Sequence, residues 1–309
     1  MKNESNLASS GETTVSELHG REWDEARIDV RPSGEGAGAE VEGVDLSAPL
    51  PDGVFAEVDR ALAHHGVLVF RDQRLSPERQ LSFCERFGPV EVNAFDQYAL
   101  PGHPGVLVVS NIVEDGRSIG YADAGSHWHT DMSYTASPPR CTALHAIEVP
   151  SDGSRNLGDT LFANARAAFE ALGEVERRQI EGLRAVHRFS AKERGVKRPV
   201  KLTPEQIARN PDVVHPVART HPVSRAKALH VREGECVGIE GMADEEAVAL
   251  IKRLSDHIIR PEFQYRHRWR VGDFVIWDNC VVQHIALRDY EWPQRRLMLR
   301  VTAGGSVPF

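Results

Sequence analysis

The chain has 309 residues, 41% of them hydrophobic and 27% charged, an ordinary composition for a soluble protein near the size limit of one hydrophobic core. Its net charge of −8, from 37 basic and 45 acidic residues, leaves no basic excess to neutralise phosphates, so nucleic acid is not an expected partner. No apolar run reaches the ~18 residues that span a bilayer, and the polar stretch from Met1 to Gly20 has no apolar signal segment, so a cytoplasmic location is expected, and a homo-oligomer is compatible with the sequence.

Residues 1–26 are rich in Ser, Glu, Asn and Gly without a consistent period and read as a disordered tail, which leaves 27–309 as a single domain. From Ile28 the chain alternates briefly and turns at Pro32-Ser33-Gly34-Glu35-Gly36. Asp52 is the expected cap of a helix through Phe55, Val58, Leu62 and Ala63 that stops at Gly66. Val67-Leu68-Val69-Phe70 reads as a buried strand. Ser76 caps a second helix with Pro77 at its first position. Val106 to Val109 and Cys141 to Val149 are strand-like. Helical spacing returns over 164–186 (Ala165, Ala168, Phe169, Leu172) and over 243–257 (Ala247, Leu250, Ile251, Leu254). The basic, proline-punctuated stretch 188–226 has no clean period and reads as a long lid or binding loop. Two strands close the chain, Phe274 to Trp277 and Leu297 to Val301. Strands at both ends with helices between them predict a mainly β protein with flanking helices, a double-stranded β-helix or jelly-roll core.

One constellation carries chemistry. His129 and Asp131 stand two apart, so an extended backbone points both side chains the same way. With the distant His284 they form a two-histidine, one-carboxylate facial triad, a set that suits Fe(II) and leaves positions open for O₂ and a co-substrate. A single His-x-Asp is expected about once by chance in such a composition, so its context decides. That context is the last strand, where Arg296, Met298 and Arg300 share one face while Leu297, Leu299 and Val301 share the other. Two arginines on an inward face suit a dicarboxylate. The same triad could hold catalytic zinc in a hydrolase, but that alternative leaves Arg296 unexplained. No Gly-x-Gly-x-x-Gly or Walker-type Gly-Lys-Ser/Thr occurs.

Other polar residues read as structural. His127 would support its neighbours, His145 would be a satisfied core residue and His64-His65 would end a helix. Asp278 would cap a turn. Arg295 would face away from Arg296 in an ion pair. Cys84, Cys141, Cys236 and Cys280 form no Cys-x-x-Cys and read as buried thiols.

From about Ile28 onward the chain resembles the taurine dioxygenase and 2,4-dichlorophenoxyacetate dioxygenase family of Fe(II)/2-oxoglutarate enzymes. The resemblance rests on Trp128-His129-Thr130-Asp131, Gly158-Asp159-Thr160, Val217-Ala218-Arg219-Thr220-His221-Pro222, Arg266-His267-Arg268-Trp269, Trp277-Asp278-Asn279, His284 and Gln294-Arg295-Arg296, in that order. It implies iron ligation by His129, Asp131 and His284, and capture of the distal 2-oxoglutarate carboxylate by Arg296 and Thr160. It also implies contact between Arg300 and an anionic group of the substrate, which is hydroxylated while succinate and CO₂ are released. Loop alignment from Phe87-Gly88 puts Asn93, Asp96, Glu193 and Glu235 at pocket positions that hold a histidine, a tyrosine and phenylalanines in taurine dioxygenase. The expected substrate is therefore a small polar or anionic molecule other than taurine.

Overall fold

The structure, a computed structural model, describes residues 28–92, 95–191 and 202–309. The expected tail at 1–26 and the pocket candidates Asn93 and Glu193 lie outside the described residues.

The chain opens with a hairpin, β1 (Asp29–Pro32) and β2 (Ala39–Glu42), then α1 (Asp52–His65), β3 (Val67–Phe70) and α2 (Pro77–Cys84). Next come β4 (Ala99–Leu100), β5 (His103–Ser110), the small hairpin β6 (Val113–Glu114) with β7 (Arg117–Ser118), β8 (Cys141–Glu148) and β9 (Thr160–Asn164). The middle holds α3 (Ala165–Glu170), α4 (Glu174–Ile180), β10 (Arg184–His187), α5 (Pro204–Arg209), β11 (Val213–Pro216), β12 (Ala218–Thr220), β13 (Lys227–Leu229) and β14 (Cys236–Ile239). The last part holds α6 (Asp244–Ile258), β15 (Gln264–His267), β16 (Phe274–Asp278), β17 (Val282–Ala286) and β18 (Leu297–Ala303).

Eight strands form the main sheet in the order β1-β2-β3-β16-β8-β18-β5-β4, and β15-β9-β17 form a smaller one. Every pair in them is antiparallel except β2 with β3. Alternation along the central strands divides the core in two. Leu68, Phe70, Phe274, Ile276, Leu299 and Val301 pack under α1 and α2 through Val58, Leu62 and Phe83. Val67, Val69, Val275, Trp277 and Met298 point the other way, towards Phe162, Tyr265 and Val282 of the smaller sheet. Because both faces are covered, β3 and β16 read as continuous apolar runs. The jelly-roll interior lies between the two sheets, and the face bearing Met298 is the one that carries Arg296 and Arg300.

Local expectations hold at α2, where the Ser76 side chain accepts from the Arg79 amide behind Pro77, and at α1, which ends on left-handed Gly66. The start of α1 differs. Pro51 flanks it with no side-chain cap, and Asp52 sits in the first turn, where an acid suits the helix dipole, paired with Arg86 at 2.6 Å. The helical stretch 164–186 divides, because extended Gly173 separates α3 from α4 and the alternating burial of Arg184–His187 takes that segment into a sheet as β10. The described part of 188–226 is not a loop. Thr203 and Gln206 form a capping box that starts α5 at Pro204, and β11 and β12 follow. There Pro204 opens α5 and Pro216 ends β11, while Pro211 and Pro222 lie in the connections between elements, so none of them breaks a helix or strand.

Candidate functional site

Backbone pairing brings the two histidines together. His129 and His284 form an isolated antiparallel bridge, each donating its N–H to the other's carbonyl at 3.1 and 2.9 Å, and their ring centroids lie 4.2 Å apart. Asp131 Oδ1 is 3.4 Å from His129 Nε2, after which the chain turns through left-handed Met132 (φ 51°). One nitrogen from each histidine and one Asp131 oxygen lie within 4.8 Å of one another.

The donor set fits a divalent cation. The His129 Nδ1–H donates to the His127 carbonyl at 2.8 Å, since a carbonyl can only accept, and this leaves Nε2, which faces Asp131, as the nitrogen able to ligate a cation. Burial opposes charge on His129, but Asp131 beside it prevails and raises its pKa; a proton favoured there is one that a cation replaces. Burial likewise works against ionised Asp131, yet Arg300, His284 and His129 hold it well below the usual carboxylate range. Burial, followed by His129, keeps His284 neutral, and its buried Nδ1 has no protein partner. An ionised carboxylate and neutral imidazole are the ligand states Fe(II) needs.

Thr160, Trp277, Arg288, Tyr290, Arg296 and Arg300 line one cavity with the triad. Arg296 is buried, its Nη1 donating to the Gly158 carbonyl at 2.5 Å and its guanidinium lying 5.7 and 5.9 Å from the Tyr290 and Trp269 rings. Gly158 is left-handed (φ +74°), and a Cβ there would meet Arg296 Nη1 at 2.3 Å, so only glycine fits. Trp269 Nε1 donates to the Thr160 hydroxyl at 3.0 Å, and its donor-only indole leaves the hydroxyl proton free for an acceptor in the cavity.

A second buried cluster, His221, Asp278 and Cys280, is also compact but poorly suited to metal. His221 Nδ1 accepts from the Val223 and Ser224 amides, so Nε2 carries the proton and donates to Asp278 Oδ2 at 2.9 Å. The same oxygen accepts from Arg140 at 2.7 Å. Asp278 does cap its turn, through Oδ1 and the Cys280 amide at 2.9 Å, but it is first the centre of a buried ion network.

Of the remaining expected site residues, Arg300 contacts Asp131 and reaches a neighbouring cavity that Asp96, Leu107 and Thr302 also line. Glu235 accepts from the Thr130 amide at 3.1 Å, behind the His129–Asp131 segment, and burial pushes its carboxyl up to about 7. The cavity that holds the triad is not lined by Glu235. Arg295 turns outward to a two-pronged pair with Glu148. His145 meets the Gln73 carbonyl at 3.1 Å through Nε2, leaving Nδ1 unpartnered. All four cysteines are buried and free. Sequence reasoning missed Tyr290, Arg288 and Thr142. Tyr290 and Arg288 precede the last strand in an aperiodic loop, and Thr142 showed only as a lone hydroxyl in an apolar strand.

A jelly roll with two histidines and a carboxylate converging between its sheets is the architecture of non-haem iron oxygenases that consume 2-oxoglutarate. The chain belongs to the taurine catabolism dioxygenase TauD, TfdA family, whose model matches residues 29–302. It is 34% identical to an alpha-ketoglutarate-dependent 2,4-dichlorophenoxyacetate dioxygenase of Cupriavidus pinatubonensis, covering 85% of this chain and 93% of that protein. An alpha-ketoglutarate-dependent sulfate ester dioxygenase of Pseudomonas putida is 33% identical, with 91% of each chain covered. Among solved structures, AAD-2 in complex with Mn(II) and N-oxalylglycine matches with a TM-score of 0.76 and 31% identity over 92% of this chain and 99% of that one. A taurine dioxygenase from Burkholderia xenovorans matches with a TM-score of 0.74 and 31% identity over 91% and 92% of the two chains. The protein is thus an Fe(II)- and 2-oxoglutarate-dependent dioxygenase, and these matches give the zinc-hydrolase alternative no support. Among the described residues no helix is long and apolar enough to cross a membrane.

Proposed function

We propose that His129, Asp131 and His284 hold the ferrous ion, that Arg296 and Thr160 bind the distal carboxylate of 2-oxoglutarate, and that Arg300 receives an anionic group of the substrate. The observation that carries this reading is the convergence of three ligand-type atoms within 4.8 Å on the cavity that Arg296 and Thr160 also line. Bound iron and keto acid supply the oxidising chemistry. The protein's own groups orient and select. A guanidinium and a hydroxyl in fixed geometry recognise a carboxylate through charge-assisted hydrogen bonds. Trp277, Leu144 and Val109 wall the cavity with apolar surface, which keeps water from the reacting centre.

The proposed substrate is a small organic anion. Relatives of this chain are named for 2,4-dichlorophenoxyacetate and for sulfate esters. The Asp96 carboxylate in the cavity beside Arg300 favours a molecule that carries an amine or guanidine as well as its acid. A cytoplasmic setting and no role for nucleic acid complete the reading, in keeping with the acidic composition.

Anaerobic addition of Fe(II) and then 2-oxoglutarate should give the visible charge-transfer band of the chelate, and His284→Ala should abolish it. Absence of the band in the intact protein would sink the reading. Succinate release screened over sulfonates, sulfate esters, aryloxy acids and amino acids then tests the substrate class. Taurine turned over as well as the best amino-acid-like compound would reject the amine-bearing preference.

A further inference from the structure

We propose that Thr142 is a positioning residue that keeps Asp131 a one-oxygen ligand, and that Trp277 and Asn279 fix the direction in which Thr142 donates. This rests on the metal role assigned to Asp131 above. Thr142 lies on β8 with Trp277 directly opposite on β16 and Thr302 opposite on β18. Its hydroxyl donates to Asp131 Oδ2 at 2.7 Å, and Asn279 Nδ2 donates to that hydroxyl at 3.1 Å. Trp277 Nε1 in turn donates to Asn279 Oδ1 at 3.1 Å. All four residues are buried.

The direction of this relay follows from its first member. An indole N–H can only donate, so the Asn279 oxygen must face Trp277 and its NH₂ must face Thr142. Thr142 therefore accepts from Asn279, and its single proton is left for Asp131. Thr302 Oγ1, 3.4 Å away, is a far weaker competitor at that length. Asp131 Oδ2 is then engaged by a neutral donor, while Oδ1 is the oxygen that faces His129. A carboxylate free to rotate could close on the ion with both oxygens and take one of the vacant positions. Those positions are what separate this centre from a closed site, since two serve the keto acid and one serves O₂.

The test compares wild type, Thr142→Val and Thr142→Ser, with Trp277→Phe as a further variant that removes the indole donor together with part of the buried ring that walls the cavity. Thr142→Val should bind Fe(II) or Mn(II) about 10- to 100-fold more weakly, the range for loss of a ligand's supporting hydrogen bond. It should also give a weakened or shifted 2-oxoglutarate chelate band, while Thr142→Ser restores both. Trp277→Phe should show the same change in smaller measure, and it serves as the reading if Thr142→Val does not fold. Variants with wild-type metal affinity and an unchanged band would overturn the proposal. A wild-type protein that forms no chelate would instead sink the metal assignment itself.

Discussion

Arg300 Nη2 lies 2.7 Å from Asp131 Oδ1, the same oxygen that faces the ring of His129. Without a metal, the guanidinium is the main partner that keeps this buried carboxylate ionised. Removing one member of a buried pair leaves the other uncompensated and costs about 3–5 kcal/mol. Arg300→Leu should therefore destabilise the metal-free protein by about that amount, and the metal-loaded protein by clearly less, because the cation then balances Asp131. Denaturant midpoints with and without Mn(II) read the difference; equal losses in both states would count against it.

Arg296 offers a planar fork between two rings, with one prong already bound to the Gly158 carbonyl. Lysine keeps the charge but loses that fork. If one charge-assisted hydrogen bond of about 1.5–3 kcal/mol is lost, Arg296→Lys should raise the KM for 2-oxoglutarate about 10- to 100-fold with little change in fold. A KM within twofold of wild type, measured by succinate release, would remove Arg296 from co-substrate binding.

What could be read in the sequence and what could not divide along a physical line. The alternation at Arg296, Met298 and Arg300 is a local pattern, and burial of Met298 in the jelly-roll interior follows from the pleat alone. The grouping of His129, Asp131 and His284 was readable only through its context, since a His-x-Asp alone is expected about once by chance. Thr142 was not, because its role depends on the register that sets it against Trp277, and no local pattern encodes register between distant strands. Asp278 was seen as a turn cap for the same reason. Its partners Arg140 and His221 come from remote elements. At 164–186 the apolar spacing suited a helix, but Gly173 and the alternating burial of β10 prevailed.

The Asp278 network gives a stability prediction. Burial works against the ionised Asp278 carboxyl, but Arg140 and then His221 outweigh it and hold the group far below the ordinary range. A depressed carboxyl contributes stability above its unfolded pKa of about 3.9 and loses it only as pH falls through the lower folded value. At pH 7 the contribution is complete, so Asp278→Asn should cost at most about 3–5 kcal/mol, because Arg140 keeps Asp59 at 3.0 Å as a remaining partner. That loss should be nearly constant from pH 5 to pH 8 in urea unfolding. A penalty that vanished at pH 5 would mean that Asp278 is already protonated there and that its carboxyl is not held low.

Three buried histidines, His187, His215 and His230, form a second pH-sensitive element, with His187 4.9 Å from His230 and 5.1 Å from His215 by ring centroid. Burial lowers the pKa of each, His187 to about 3. For a histidine held neutral in the fold, the unfolded chain takes up protons first as pH drops below about 6.5, so stability falls on acidification until the folded group also protonates. The protein should lose stability steadily from pH 6.5 towards pH 4. His187→Phe should flatten that slope by up to about 1.4 kcal/mol per pH unit, the value of one proton. Phenylalanine keeps a ring of similar size in the stack, so the slope, and not the stability at pH 7, is the quantity to compare. A His187→Phe profile parallel to that of wild type across this range would show that the protons enter elsewhere.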